Sequence, residues 1–357
     1  MMFLKLHFFL RRSKMRKIGL MLLVLSFSMV MLFANGDQET GSAKKPEVWR
    51  IAHSSMKGDI IDIYCNEFAA GLENAFPNVD VQVFPSGQLG DYVAQQELLQ
   101  GNGLEFAMLC TDSLALSIPE MQIAGLNFVW SDDRSVNQKA MSEGDAFAKL
   151  DDLLLKQGLV TIDWVNEDFR CWTSNRPIHT SADFSGMKIR VYPTPLRIAS
   201  YEVLDANPTP IPFAEVYSAL QLKMADAQEN PILVIEQMKF FEVQDYLILS
   251  NHSCVTNTLQ TNTMFWNKFS EEEKNIIMNI KQKVSESVFN QQEKLTNDAL
   301  SRIQAEGGTE IITLTDKQRD TFVQANAPIV DDFEKYAGKD AKKLLDVFIK
   351  DIQEIEK

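Results

Sequence analysis

The sequence has no GxGxxG turn, no GxxxxGK[ST] phosphate loop, no GxSxG elbow and no HExxH pair. The arrangements that usually announce a nucleotide, a nucleophilic serine or a catalytic metal are therefore missing, and no cofactor, metal ligand or catalytic residue is assigned. Cysteine is scarce: Cys65, Cys110, Cys171 and Cys254 stand alone, with no CxxC spacing. That excludes a disulfide scaffold as the source of stability and leaves all three pairings of four cysteines open. Basic residues are also few, 35 against 49 acidic ones. Six of the 35 lie in the first 34 residues, so the rest of the chain carries a formal net charge of -20 rather than -14. Such a surface argues against nucleic acid as a partner. It also repels an anion at long range, so an anion site must rest on a few local cations that win at contact distance.

What is present begins with an address. Lys5, Arg11, Arg12, Lys14, Arg16 and Lys17 precede an apolar run over residues 18–33 with no acidic residue, the pattern of a secretory signal. It is most compact if translation starts at Met15, and a cleavage site follows Ala34. The alternative is an uncleaved anchor, but the run falls short of the roughly 20 residues that span a bilayer. With no cysteine near the cut, a lipid anchor is not expected; the mature protein is expected in the periplasm, after a linker over residues 35–46.

From Trp49 onward short apolar runs alternate with amphipathic stretches, the rhythm of an α/β protein with a mostly parallel sheet. Strands are predicted over 48–53, 79–83, 104–109, 187–191 and 208–211, and helices over 59–75, 91–101, 145–157, 194–204 and 214–222. Residues 159–165 and 169–174 read as a pair of strands between two α/β units. Domain I is placed at 47–167 plus 256–295, and domain II at 168–255 plus 296–357. Ser270 and Glu273 form an S-x-x-E capping box opening a helix that runs to Ala305 before Gly307-Gly308. At 1.5 Å per residue it would be about 50 Å long, longer than either domain is wide, so it should cross both.

The best candidate site lies between Phe169 and Pro231. Arg170 falls at the domain junction, Arg190 at the carboxyl end of a strand, Phe213 after a Pro-Ile-Pro turn, and Asn230 beside Pro231. Ligands of open α/β sheets bind outside the carboxyl ends of strands, and a guanidinium there can grip a carboxylate through two parallel hydrogen bonds. Taken singly, each residue has a structural reading as well: a surface arginine, a core phenylalanine, a turn asparagine.

As a set they resemble a family. Residues 184–191 (FSGMKIRV), 207–221 (NPTPIPFAEVYSALQ) and 226–231 (DAQENP), with PSGQLG at 85–90 and Glu105-Phe106, are similar to the TRAP-type, DctP-like solute-binding proteins. The resemblance covers nearly the whole mature chain. It implies a two-domain periplasmic-binding-protein fold of type II character, with a central cleft that closes on a small organic carboxylate. By the same resemblance Arg190 binds the carboxylate, Arg170 assists, Asn230 donates to it and Phe213 packs on the ligand. The loaded receptor would dock on small and large permease subunits driven by an ion gradient, without itself being an enzyme.

His53, Tyr92, Cys110 and Trp172 form a second set of candidate pocket residues. Tyr92 and Cys110 stand where the sialic-acid branch has acidic residues, so the pocket is expected to be more aromatic and less acidic than that branch's. Glycines that the family often carries are replaced by Lys223 and Ala227. A sensor subunit presenting ligand to a membrane receptor, and an exported hydrolase using Cys171 or a histidine, are the competing functions. A monomer is the default, although the long helix offers a surface for a dimer.

Overall fold

The computed structural model describes residues 45–357; the signal and linker expected before residue 45 lie outside the described residues. Ten strands form one twisted path of two sheets: β1 (Glu47–Ala52), β2 (Val79–Phe84), β3 (Phe106–Cys110), β4 (Leu159–Ser174), β5 (Lys188–Val191), β6 (Asn207–Pro210), β7 (Ala227–Pro231), β8 (Tyr246–Leu249), β9 (Cys254–Asn262) and β10 (Glu310–Thr313). The order is β2-β1-β3-β9-β4-β7-β5-β6, with β8 on β4 and β10 on β8. Pairs among β1–β3, and among β5, β6 and β7, are parallel, whereas β9 runs antiparallel to both β3 and β4. One-turn segments aside, the helices are α1 (Ile60–Ala75), α2 (Tyr92–Gln100), α3 (Arg134–Glu143), α4 (Asp145–Lys156), α5 (Pro195–Glu202), α6 (Val216–Gln221), α7 (Ile232–Gln237), α8 (Glu271–Glu306), α9 (Asp316–Asp331) and α10 (Ala341–Ile355).

The strand pair expected at 159–174 is a single strand. β4 holds sixteen residues and belongs to both sheets: β9 flanks it as far as Phe169, β7 flanks it from Arg170 to Ser174, and β8 from Trp172 to Ser174. No glycine or proline interrupts residues 165–169, so the chain changes sheets by shifting register between Asn166 and Asp168 instead of turning. The long helix α8 spans this crossover. It starts at the Ser270/Glu273 capping box and packs on α1, on β4 and on α7. Its buried face is not purely apolar: after Ile277, Val284 and Val288 come Gln292 and Thr296. Gln292 Nε2 donates to the carbonyl oxygens of Asn166 (3.1 Å) and Glu167 (2.7 Å), and the Thr296 hydroxyl donates to Asp168 at 2.6 Å. Backbone acceptors freed by the register shift are thereby satisfied from the helix.

Residues 341–355, expected with the second domain, pack on the first. In α10 the stripe Leu344, Leu345, Phe348 and Ile352 meets Trp130, Phe147 and Leu150, with Phe348 4.8 Å from the Trp130 ring. Asp351 accepts from the backbone N–H of Ala146 at the start of α4 (2.9 Å), fixing that end of the helix.

Candidate ligand-binding site

The two sheets meet around one cavity. It is lined from the first sheet's side by Ser55, Met56, Asp59, Tyr92, Cys110 and Asp112, from the crossover by Glu167 and Arg170, and from the second sheet's side by Arg190, Tyr192, Phe213, Asn230, Val234, Gln237 and Met238. It encloses about 610 Å³ of atom-free space, mouth included. Six expected site residues are therefore brought together: Arg190, Arg170, Asn230, Phe213, Tyr92 and Cys110. The other two are not.

His53 ends β1's extension fully buried, with Nε2 3.2 Å from Asp62. Its backbone carbonyl takes the N–H of Gly87 and so anchors the turn at 85–90. In that turn Gly90 sits at φ +104, and a Cβ there would come within 2.6 Å of Ala94. Trp172 lies outside the cavity, in a core. It stacks on His252 (4.3 Å between ring centres) and donates its indole N–H to the Tyr201 hydroxyl at 2.8 Å. Trp172 shares Arg170's face of β4 but stands two residues further along the strand, where Phe184 and Phe322 enclose its ring in an aromatic cluster.

The arginines differ in what neutralises them. Arg170, at the start of β4's second-sheet half, reaches Asp112 at 2.6 Å and Glu229 at 3.6 Å. Arg197 on α5, unforeseen from sequence, lies 3.5 Å from each of the same two carboxylates. Burial pushes Asp112 and Glu229 up, but the charges of Arg197 and Arg170 outweigh it, joined for Glu229 by a hydrogen bond from His252. Asp112 is held below, and Glu229 well below, the usual carboxylate range. His252 is driven down to about 4 by burial and is neutral at ordinary pH, its Nε2–H donating to the Glu229 carboxylate at 2.9 Å.

Arg190 is outside this network. It is 3% exposed, its Nε donates to the Ile211 carbonyl at 2.9 Å, and its Nη2 has no hydrogen-bond partner. No ion pair reaches it among the described residues. Burial draws its pKa down to about 10, Arg170's charge adding to the effect. A buried guanidinium that is cationic and unpaired beside a cavity has the chemistry to take an anion's oxygens. Asn230 on β7 also lines the cavity, with its amide held by Gln228, and half-buried Phe213 lines it while packing edge-on against Phe240.

The cavity carries carboxylates of its own. Asp59, Asp112 and Glu167 all line the cavity; the carboxylates come from the α1 cap, the segment after β3 and the bend of β4, and not from positions 92 and 110. A signal was present for two of them. Asp59 is the N-cap of α1, accepting from Ile61 at 2.7 Å, and Glu167 sits in an Asn-Glu-Asp run in the middle of β4.

The family model for bacterial extracellular solute-binding protein, family 7 (DctP), matches residues 51–336. The chain belongs to this family. Among curated relatives, the family-7 chain is 27% identical over 307 residues to the ectoine/5-hydroxyectoine-binding periplasmic protein UehA of Ruegeria pomeroyi, covering 85% of this chain and 90% of that one. It is 27% identical over 310 residues to the ectoine-binding periplasmic protein TeaA of Halomonas elongata, covering 86% and 91%. Among solved structures, the ectoine-binding protein of the Halomonas elongata TeaABC TRAP transporter aligns with a TM-score of 0.83 at 27% identity, over 86% of this chain and 100% of that one. A TRAP solute-binding protein from Desulfovibrio salexigens with bound orotic acid aligns with a TM-score of 0.81 at 26% identity, over 86% and 99%. The two-domain α/β architecture of family 7 is thus the architecture of this chain.

All four cysteines are buried and unpaired. Burial pushes Cys171 up to about 12, so no thiolate forms there at neutral pH; its place next to Arg170 in sequence does not activate it.

Proposed function

We propose that this family-7 protein is the extracytoplasmic receptor of a TRAP transporter, binding a small carboxylate in the cavity between its two sheets and delivering it to membrane permease subunits. The observation that carries this reading is the unpaired Nη2 of Arg190, buried in the cavity wall beside Arg170, Asn230 and Phe213. Relatives named for ectoine, 2,3-diketo-L-gulonate and C4-dicarboxylates support it, since each of those ligands carries a carboxylate. The ligand's acid group meets Arg190, Asn230 holds its second oxygen, and Phe213 covers its apolar side. The lobes then rotate about the crossover of β4 and β9, with α8 as the spine, and closure desolvates the ion pair and strengthens it. The receptor performs no chemistry on its cargo. It acts in the periplasm as a monomer after removal of the signal; no described helix is long and apolar enough to cross a membrane.

Native mass spectrometry of the protein as purified, followed by calorimetry with the identified cargo on wild type and Arg190→Ala, tests the reading. A carboxylate cargo whose affinity falls by about 3–5 kcal/mol in the variant is expected. An unchanged affinity, or turnover of the cargo into product, would remove it.

A further inference from the structure

The cavity has a second charged feature that a carboxylate alone does not answer. Asp59 and Glu167 line it together with Arg190, and each is nine-tenths or more buried. One oxygen of Asp59 caps α1 through the Ile61 N–H (2.7 Å), and one of Glu167 accepts from Asn257 Nδ2 (2.8 Å). Neither carboxyl has an arginine or lysine of the described residues in ion-pair contact. By contrast, the cavity's third carboxylate, Asp112, is taken by Arg170 and Arg197. The wall is therefore divided: an unpaired guanidinium on β5 from the second sheet, and two carboxyls without a cation from the α1 cap and the bend of β4. Met56, Val234, Met238 and Phe213 line the same cavity and make part of its wall apolar.

We infer that the ligand of this cavity is a zwitterion, a small and mostly apolar molecule whose carboxylate meets Arg190 and whose cationic nitrogen meets the Asp59–Glu167 pair. The inference rests on the carboxylate reading above and names its class. Burial holds both carboxyls protonated more readily than usual, Asp59 well above the ordinary range with the charge of Glu167 adding to the effect, and Glu167 at about 7 with the charge of Asp168 adding to it. Such a pair shares protons until a cation arrives, and a cation restores both charges. A dicarboxylate would bring its second negative group against Glu167, which at about 7 is mostly ionised at pH 7.5, and that repulsion discriminates against it. A nitrogen-free monocarboxylate would leave the pair buried without a partner, forfeiting a charge-assisted hydrogen bond.

The test compares three ligand classes by melting-temperature shift and then by calorimetry at pH 7.5. They are cyclic zwitterions (ectoine, pipecolate, nipecotate), their nitrogen-free counterpart cyclohexanecarboxylate, and the dicarboxylate succinate. The largest shift is expected from a zwitterion. The doubly neutral variant Asp59→Asn/Glu167→Gln keeps the helix cap and the acceptor for Asn257. In it the zwitterion's affinity should fall roughly tenfold or more, while that of cyclohexanecarboxylate should not fall. Binding of cyclohexanecarboxylate or succinate as tightly as any zwitterion overturns this inference and leaves the carboxylate reading standing. So does a variant that retains zwitterion affinity within about twofold, less than the loss of one charged hydrogen bond. If no class shifts the melting temperature, both readings fall.

Discussion

Arg190 donates its Nε to the Ile211 carbonyl at 2.9 Å and thereby aims an otherwise unpartnered Nη2 along the cavity wall. Ile211 follows β6, which pairs in parallel register with β5 through Arg190 and Thr209. The carbonyl that positions the guanidinium is thus fixed by the sheet itself, and orientation costs the ligand nothing at the moment of binding.

An unpaired buried cation destabilises the empty protein, so its removal should have opposite effects with and without ligand. Replacing Arg190 by Met is expected to stabilise the ligand-free protein by roughly 1–4 kcal/mol, read as a higher urea midpoint. The same variant should show no ligand-induced shift. A ligand-free variant less stable than wild type would mean that the guanidinium is already neutralised in the empty state.

Arg170 should behave in the reverse way. It is paired with Asp112 at 2.6 Å and lies 3.6 Å from Glu229, so Arg170→Met leaves carboxylates buried with only Arg197 for a partner. A loss of about 3–5 kcal/mol is expected from denaturant unfolding. Adding Asp112→Asn should recover part of it, because the residual charge is removed with its partner.

How much of this was readable beforehand depended on whether a residue's role is local. Arg190, Asn230 and Phe213 follow from strand ends and turns, and the capping box of α8 is a four-residue pattern; all are legible in sequence. Trp172 and His53 lie outside the cavity because their packing partners, Phe184 and Phe322 for the indole and Asp62 for the imidazole, are fixed by tertiary contacts that no local pattern announces. Arg197 was invisible for the same reason: nothing near it in the chain hints at Asp112 or Glu229. Lys223 is instructive in the other direction. The family's glycine marks a left-handed backbone, and Lys223 does adopt φ +57, so the turn is preserved despite the lost glycine, at the steric cost of a Cβ in that region.

Gln292, buried on the inner face of α8, is the donor to both carbonyls at the bend of β4. Gln292→Leu, of similar size, should therefore cost stability, about 1–3 kcal/mol for acceptors left dry, where a surface-facing position such as Glu293 would tolerate leucine. Denaturant unfolding of the two variants side by side checks this. Equal stability would mean that water replaces the amide at the crossover.

Glu167 gives the ligand-free protein a pH dependence with a definite sign. Burial, reinforced by the charge of Asp168 and opposed by Asn257 and Arg170, raises its carboxyl from 4.5 to about 7, and Asp59 shares its surroundings. A carboxyl that binds its proton more tightly when folded stabilises the fold fully below its unfolded value. That contribution is lost as pH rises through the folded one, because the folded protein must then bury a charge that the unfolded chain exposes to water. Between about pH 4.5 and 7 the difference in unfolding free energy between wild type and Glu167→Gln should therefore shift steadily against wild type. Above pH 8 the difference should level off. Urea midpoints of both proteins measured from pH 4.5 to 8.5 read it directly. A difference that is flat with pH, or that moves in wild type's favour, would mean that Glu167 is ionised in the empty cavity throughout. Saturating the site with a cationic-nitrogen ligand should flatten the profile, since the bound cation holds the carboxylate in its charged form across the range.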